Sequence, residues 1–207
     1  MIPWDLAGCQ ATKVILSCGD SKTMTGLVAG TNLDSWQVRM QLELGCDASF
    51  NIGNPSGQSM GALARGAHTV AMMKALVDAD MLAMTGPTPT HILVNLGSAD
   101  LVLGMPTQEA FEADYGYYLD ALHTKWPTAE IYCASPWKKN GETDSNNMHT
   151  WIGNVLSTRP WAQRGPDERV VIKGTDLGVT NLYDNLTHLS VAGVTVWSAA
   201  WIETLGW

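Results

Sequence analysis

The sequence predicts an α/β protein: a three-layer α/β/α sandwich on a five-stranded parallel sheet, forming one domain over residues 1–207. Three observations predict it. Short apolar runs alternate with helix-like stretches along the chain. The runs are continuous rather than alternating, as strands covered on both faces must be. The 207 residues, 45% of them apolar and 15% charged, suffice for one well-buried core.

Residues 13–18 (KVILSC) read as the first buried strand and residues 47–52 (DASFNI) as a weaker second. Residues 91–96 (HILVNL), 130–134 (EIYCA) and 169–173 (RVVIK) supply the third, fourth and fifth. Residues 59–84 carry Ala, Met and Leu at helical spacing, and Gly86-Pro87 stops them. Thr107 is placed to cap a helix running to about Trp126, with Pro127 beyond its end. Residues 145–156 form the next helical stretch, and Ser190 caps a last helix to about Leu205. In such sheets ligands bind at the carboxyl ends of the strands, so the residues after each strand are the candidate site.

Bulk composition narrows the function. The net charge is −8 and no basic stripe occurs, which argues against a nucleic-acid partner. The longest basic run, Lys138-Lys139, reads as a solvated loop. No run of 18 apolar residues predicts a membrane span. The start, MIPWDLAGCQ, has neither a charged beginning nor a long apolar stretch, so a soluble chain without a signal peptide is expected. Cys9, Cys18, Cys46 and Cys133 show no CxxC pair and no metal-ligand spacing. They read as reduced structural thiols, and neither a metal nor a cofactor is expected. Most of the nine tryptophans should be core. The polar stretch 136–166, with Trp137, Lys138, Trp151 and Trp161, is expected to wall a substrate site or form an interaction surface.

Four loops carry the chemistry. After the first strand stands Gly19-Asp20-Ser21. A serine at a strand-to-helix turn presents its hydroxyl and its own backbone N–H to one crevice, which suits a nucleophile that also helps hold an oxyanion. After the second comes Asn51-Ile-Gly-Asn-Pro-Ser-Gly57, a glycine-rich loop that lets backbone amides approach a substrate or simply turns the chain. After the third comes Gly97-Ser-Ala-Asp100. After the fifth, Asp184-Asn-Leu-Thr-His188-Leu-Ser190 leads into the last helix. His188 sits in a polar loop, whereas His68, His91, His123 and His149 lie within or beside predicted elements and read as structural or surface residues.

These blocks, in this order, resemble the SGNH (GDSL-type) hydrolases, which carry a GDS block, a loop with a functional glycine, a GxND block and a DxxH block. The counterparts here are Gly19-Asp20-Ser21, Ser56-Gly57, Gly97-Ser98-Ala99-Asp100 and the segment ending at His188. The resemblance runs over roughly residues 13–205. It implies a flavodoxin-like sandwich, Ser21 as nucleophile, His188 as general base and the amides of Ser21 and Gly57 as oxyanion donors, with no metal. Two positions depart from the pattern. Ala99 stands where the family has an oxyanion-binding Asn, which leaves Asn95, Ser98 or a water as alternates. Asn185 stands three residues before His188, and the nearest carboxylate is Asp184, four before. Asp184 is favoured as the partner of His188, with Asn185 the alternate, because a carboxylate contributes so much in known triads.

A competing motif, Gly57-Gln58-Ser59-Met60-Gly61, matches the nucleophile elbow G-x-S-x-G. Too few strands precede it for that fold, so Ser59 reads as a helix cap. The expected activity is hydrolysis of small-acyl esters, with an O-acetylated carbohydrate as one candidate substrate. The alternative is a catalytically weakened binding or structural module on the same fold.

Overall fold

A computed structural model describes residues 14–23, 36–43, 63–83, 88–138, 140–175 and 188–207. The elements run β1 (Ile15–Gly19), α1 (Trp36–Glu43), β2 (Leu63–Ala64), α2 (Val70–Ala83), β3 (His91–Asn95), α3 (Ser98–Leu103), α4 (Gln108–Lys125), β4 (Glu130–Ser135), α5 (Glu142–Ser157), β5 (Ala162–Asp167), α6 (Glu168–Thr175) and α7 (Val191–Leu205). The chain is α/β with a parallel sheet, in the order β2-β1-β3-β4-β5. Four of these strands have five or six residues, while β2 is a two-residue pairing on the edge beside β1.

Strand residues alternate between two apolar cores, as the period of two requires. Leu16, Cys18, Ile92, Val94, Ile131 and Cys133 face a core completed by α2, α4 and α5. Ile15, Leu93, Tyr132 and Ala134 face the other, completed by α1, α6 and α7. Burial on both faces is why these strands read as unbroken apolar runs. Cys18 and Cys133 are free thiols inside the first core, pushed up to about 12 by burial. Trp36 stacks on Trp201 at 5.5 Å and Trp201 meets Trp197 edge-on at 6.0 Å, so tryptophan largely builds the second core. The anticipated caps form: the Thr107 hydroxyl accepts from Ala110 N (3.3 Å) and that of Ser190 from Gly193 N (3.2 Å). Such caps contribute about 1 kcal/mol each.

Two sequence expectations fail. Residues 169–173, expected as the fifth strand, lie inside helix α6, and the strand is Ala162–Asp167. Asp167 accepts a bond from Arg169 N (3.0 Å), a helix-starting contact that overrides the β-branched run Val170-Val171-Ile172. Pro166 fits β5 because an edge strand at a bulge can do without a backbone donor. The register slips there, with Cys133 opposite Arg164 but Ser135 opposite Asp167. Next, the stretch 59–84 is not one helix, since it contains β2 and its helix starts at Val70. The Asp100 carboxylate accepts from Val70 N (3.0 Å) and so fixes that start. The tryptophans of stretch 136–166 pack against the fold. Trp137 is buried, Trp151 lies against Phe111 and Trp161 stacks on His123 at 4.1 Å. Lys138 is no free loop charge either, since its Nζ donates to Leu101 O at 2.8 Å. The strand expected at 47–52, Cys9 and Cys46 lie outside the described residues.

Candidate active site

The loops following β1, β3 and β4 meet the start of α6 at the carboxyl edge of the sheet. The chain leaves β1 in a tight turn, closed by Thr23 N donating to Asp20 O at 3.0 Å. Ser21 is on that turn. Gly19 permits the turn, because a Cβ there would lie 2.6 Å from the Asn95 carbonyl oxygen of β3 and 2.1 Å from Thr23 Oγ1. From the far end of the sequence comes His188, two residues ahead of Ser190, the cap of α7. Leu189 between them is buried in the α1/α7 core and anchors the segment. His188 Nε2 lies 2.9 Å from Ser21 Oγ, within hydrogen-bonding distance, with both residues half-buried. A serine and a histidine 167 positions apart are thereby brought together.

Asp20 organises the floor. Its carboxylate is fully buried and accepts from Lys22 N and from Ala99 N, each at 3.1 Å. Burial pushes its carboxyl above the ordinary value, while the Lys22 charge and the amides of Lys22, Ala99 and Ser98 pull the other way. The Ala99 amide is therefore committed to Asp20. Helix α3 begins at Ser98, so strand geometry has already ended there and Ser98 does not simply face opposite Ala99. The Ser98 hydroxyl is buried with no hydrogen-bond partner among the described residues. Asn95, also fully buried, shares the strand face of Leu93, toward α1 and α7, and neither side-chain amide atom has a described partner. Gly57, Ser59, Asp184 and Asn185 lie outside the described residues.

Two residues of this neighbourhood escaped the sequence reading. Lys22 is wholly buried, and its Nζ meets Glu168 Oε2 at 2.5 Å and Trp137 O at 3.0 Å. The same Glu168 oxygen accepts from Trp137 N at 2.7 Å. Burial pushes the Glu168 carboxyl up, and the Lys22 charge opposes that. The readable signal was the lysine itself, a charge placed directly after a buried strand and a tight turn. Among the described residues no group of three His, Cys, Asp or Glu side chains could hold a metal ion. No described helix is long and apolar enough to cross a membrane.

No protein-family model matches the sequence, and neither does any curated protein. Solved structures do match. A member of the lipolytic protein G-D-S-L family from Veillonella parvula superposes with a TM-score of 0.69 at 10% identity, over 94% of this chain and 98% of that one. A psychrotrophic esterase from Pseudoalteromonas sp., in a form inhibited by monoethylphosphonate, gives 0.67 at 15% identity, over 94% and 97%. A family 3 carbohydrate esterase from Clostridium thermocellum gives 0.67 at 14%, over 93% and 94%. The letters G-D-S-L read Gly19-Asp20-Ser21-Lys22 here. Low identity with nearly complete mutual coverage makes the likeness one of architecture: this chain has the fold of the GDSL-type (SGNH) lipolytic proteins and esterases.

Proposed function

We propose that this protein is a serine ester hydrolase working through an acyl-enzyme. The observation that carries the reading is the 2.9 Å approach of His188 Nε2 to Ser21 Oγ at the carboxyl edge of a parallel sheet. Ser21 Oγ attacks the ester carbonyl carbon while His188 Nε2 takes its proton. The carbonyl π pair moves onto oxygen, where the backbone amides of Ser21 and Gly57 receive the charge. Collapse breaks the ester C–O bond, and His188 returns the proton to the leaving alcohol. Water, deprotonated by His188, then attacks the acyl carbon, and Ser21 leaves with the proton as the carboxylic acid is released. Asp184 is the proposed partner that orients His188, with Asn185 the alternate. The substrate class is a small-acyl ester. The carbohydrate-esterase likeness supports an O-acetylated carbohydrate.

A second reading, a weakened hydrolase retained as a binding module, is favoured by one observation: Ala99 offers no side-chain donor, and its amide is taken by Asp20. Turnover of p-nitrophenyl acetate and labelling by a fluorophosphonate, followed by peptide mapping, decide between the two. Wild-type turnover with the label on Ser21, lost in Ser21→Ala and kept in Ser59→Ala, is expected. A folded protein that neither turns over ester nor takes the label sinks the hydrolase reading, and a label on Ser59 sinks the assignment of Ser21.

A further inference from the structure

Where the family's four-letter motif has leucine, this chain has Lys22, and the side chain is wholly inside the protein. An isolated buried ammonium is too costly to keep, so the fold must supply a counter-charge. It supplies Glu168, the first residue of α6, at 2.5 Å. Lys22 Nζ also donates to Trp137 O, and Glu168 Oε2 accepts from Trp137 N. Both backbone polar groups of Trp137, in the loop after β4, are thus used by the pair. The Lys22 backbone N–H is bonded to Asp20, whose other oxygen takes the Ala99 amide at the start of α3.

The connectivity is that of a strap. Neighbouring strands lie about 4.8 Å apart, so β1 and β5, three positions apart in the sheet order, are separated by roughly 14 Å. Lys22 and Glu168 span that distance over the carboxyl edge, with Trp137 between them. One end is covalently next to Ser21. The other begins α6, the last element described before His188 in the chain. An ordinary structural pair could sit anywhere in the core, and apolar residues of similar volume would serve stability as well or better.

We propose that the buried Lys22–Glu168 pair is a positioning device for the nucleophile, holding the Ser21 turn, the β4 loop and the start of α6 in one arrangement so that Ser21 meets His188. This rests on the hydrolase reading above. Neither residue touches substrate; both act through the geometry of Ser21. Displacing a reacting group by about 1 Å costs on the order of 10²-fold in rate.

The test compares wild type, Glu168→Gln and the double variant Lys22→Met/Glu168→Gln for p-nitrophenyl acetate kinetics, rate of fluorophosphonate labelling at Ser21 and unfolding temperature. The double variant leaves no unpaired charge of the pair, and its glutamine keeps an acceptor for Trp137 N. It also removes the Lys22 charge that favours ionised Asp20, so Glu168→Gln, which keeps that charge, is read beside it. A positioning pair predicts an unfolding temperature within a few degrees of wild type. It also predicts kcat and labelling rate down by about 10- to 100-fold, with KM nearly unchanged. If activity recovers along with stability in the double variant, the pair is structural only and the proposal is overturned. Should the double variant fail to fold, Glu168→Gln decides: assayed well below its own unfolding temperature, wild-type kcat overturns the proposal and a selective kcat loss upholds it. A folded wild type without turnover or labelling instead removes the hydrolase reading, and this proposal with it.

Discussion

Ser21 and His188 approach to 2.9 Å although each is fixed by a different part of the fold, Ser21 by the turn after β1 and His188 by the anchor and cap that open α7. Their meeting depends on the whole sheet-and-helix framework. The proposed partner of His188, Asp184, and its alternate Asn185 precede it by four and three positions in the sequence.

Asp184→Asn is expected to lower kcat far more than Asn185→Ala. A carboxylate holds the imidazole in its working tautomer and stabilises the imidazolium, and its loss from a triad costs up to about 10⁴-fold. Steady-state kinetics on both variants, with circular dichroism as the folding check, tests this. Equal small losses would mean that His188 works as a dyad or draws its partner from elsewhere.

Gly19→Ala is expected to damage the site without touching any reacting group. The added methyl would stand 2.6 Å from the Asn95 carbonyl oxygen, which belongs to buried β3 and cannot retreat. Thr23 Oγ1, at 2.1 Å, would have to move as well. Overpacking of this kind costs about 1–3 kcal/mol, and here the strain falls on the Ser21 turn. A lower unfolding temperature with at least tenfold slower fluorophosphonate labelling is the expected result. Wild-type values for both would refute the close approach.

Asp100 gives stability a pH dependence of predictable sign. Burial raises its carboxyl from 3.8 to about 6, against the opposing bond from Val70 N, and the nearby Asp20 charge pushes the same way as burial. The folded protein therefore holds this proton over a range where the unfolded chain has lost it. Its contribution is fully present below about pH 4 and is lost as pH rises through about 6, a swing of roughly 2–3 kcal/mol. Asp100→Asn removes the titration yet keeps an acceptor for Val70 N. Thermal unfolding from pH 4 to 8 should show the variant gaining on wild type as pH rises to about 7, then running parallel. A constant difference across that range would refute the shift.

The elements legible in the sequence were those whose local pattern and tertiary environment agree. β1, β3 and β4 are apolar on both faces because both faces are covered, and α4 and α7 announce themselves through Thr107 and Ser190. The reading failed where neighbours outweigh propensity. Val170-Val171-Ile172 has strand character, but the bond from Arg169 N to Asp167 starts a helix and Ile172 packs into the α7 core. β5 (AQRGPD) has almost no apolar content, because it is an edge strand with a bulge. Ser21 and His188 were readable as residues following strands or opening a helix. The pairing of Lys22 with Glu168 was not, because 146 positions separate them, even though Lys22 stands just after a buried strand.

At the proposed oxyanion site this chain departs furthest from the motif it resembles, with Ala99 in the place of Asn. Ala99 has no side-chain donor, and its amide is already bonded to Asp20 Oδ2, so residue 99 can give nothing to a developing oxyanion. Removing one such donor from a working site costs about 10²–10³ in kcat. Among the described residues, Asn95 and Ser98 are nearby side chains able to donate. Asn95 sits on the face toward α1 and α7, behind the strand end, and Ser98 is buried at the first turn of α3. Neither position favours a direct contact with substrate, so the proposed hole is made by the Ser21 and Gly57 amides, with an ordered water completing it. Asn95→Ala and Ser98→Ala should then each cost less than tenfold in kcat. Ala99→Asn should raise kcat provided the new amide fits, since its backbone bond to Asp20 is untouched. An unfolding temperature near that of wild type is the condition for reading these rates. A loss of about a hundredfold or more in either alanine variant, with the fold intact, would show that the third donor was replaced by that side chain rather than lost.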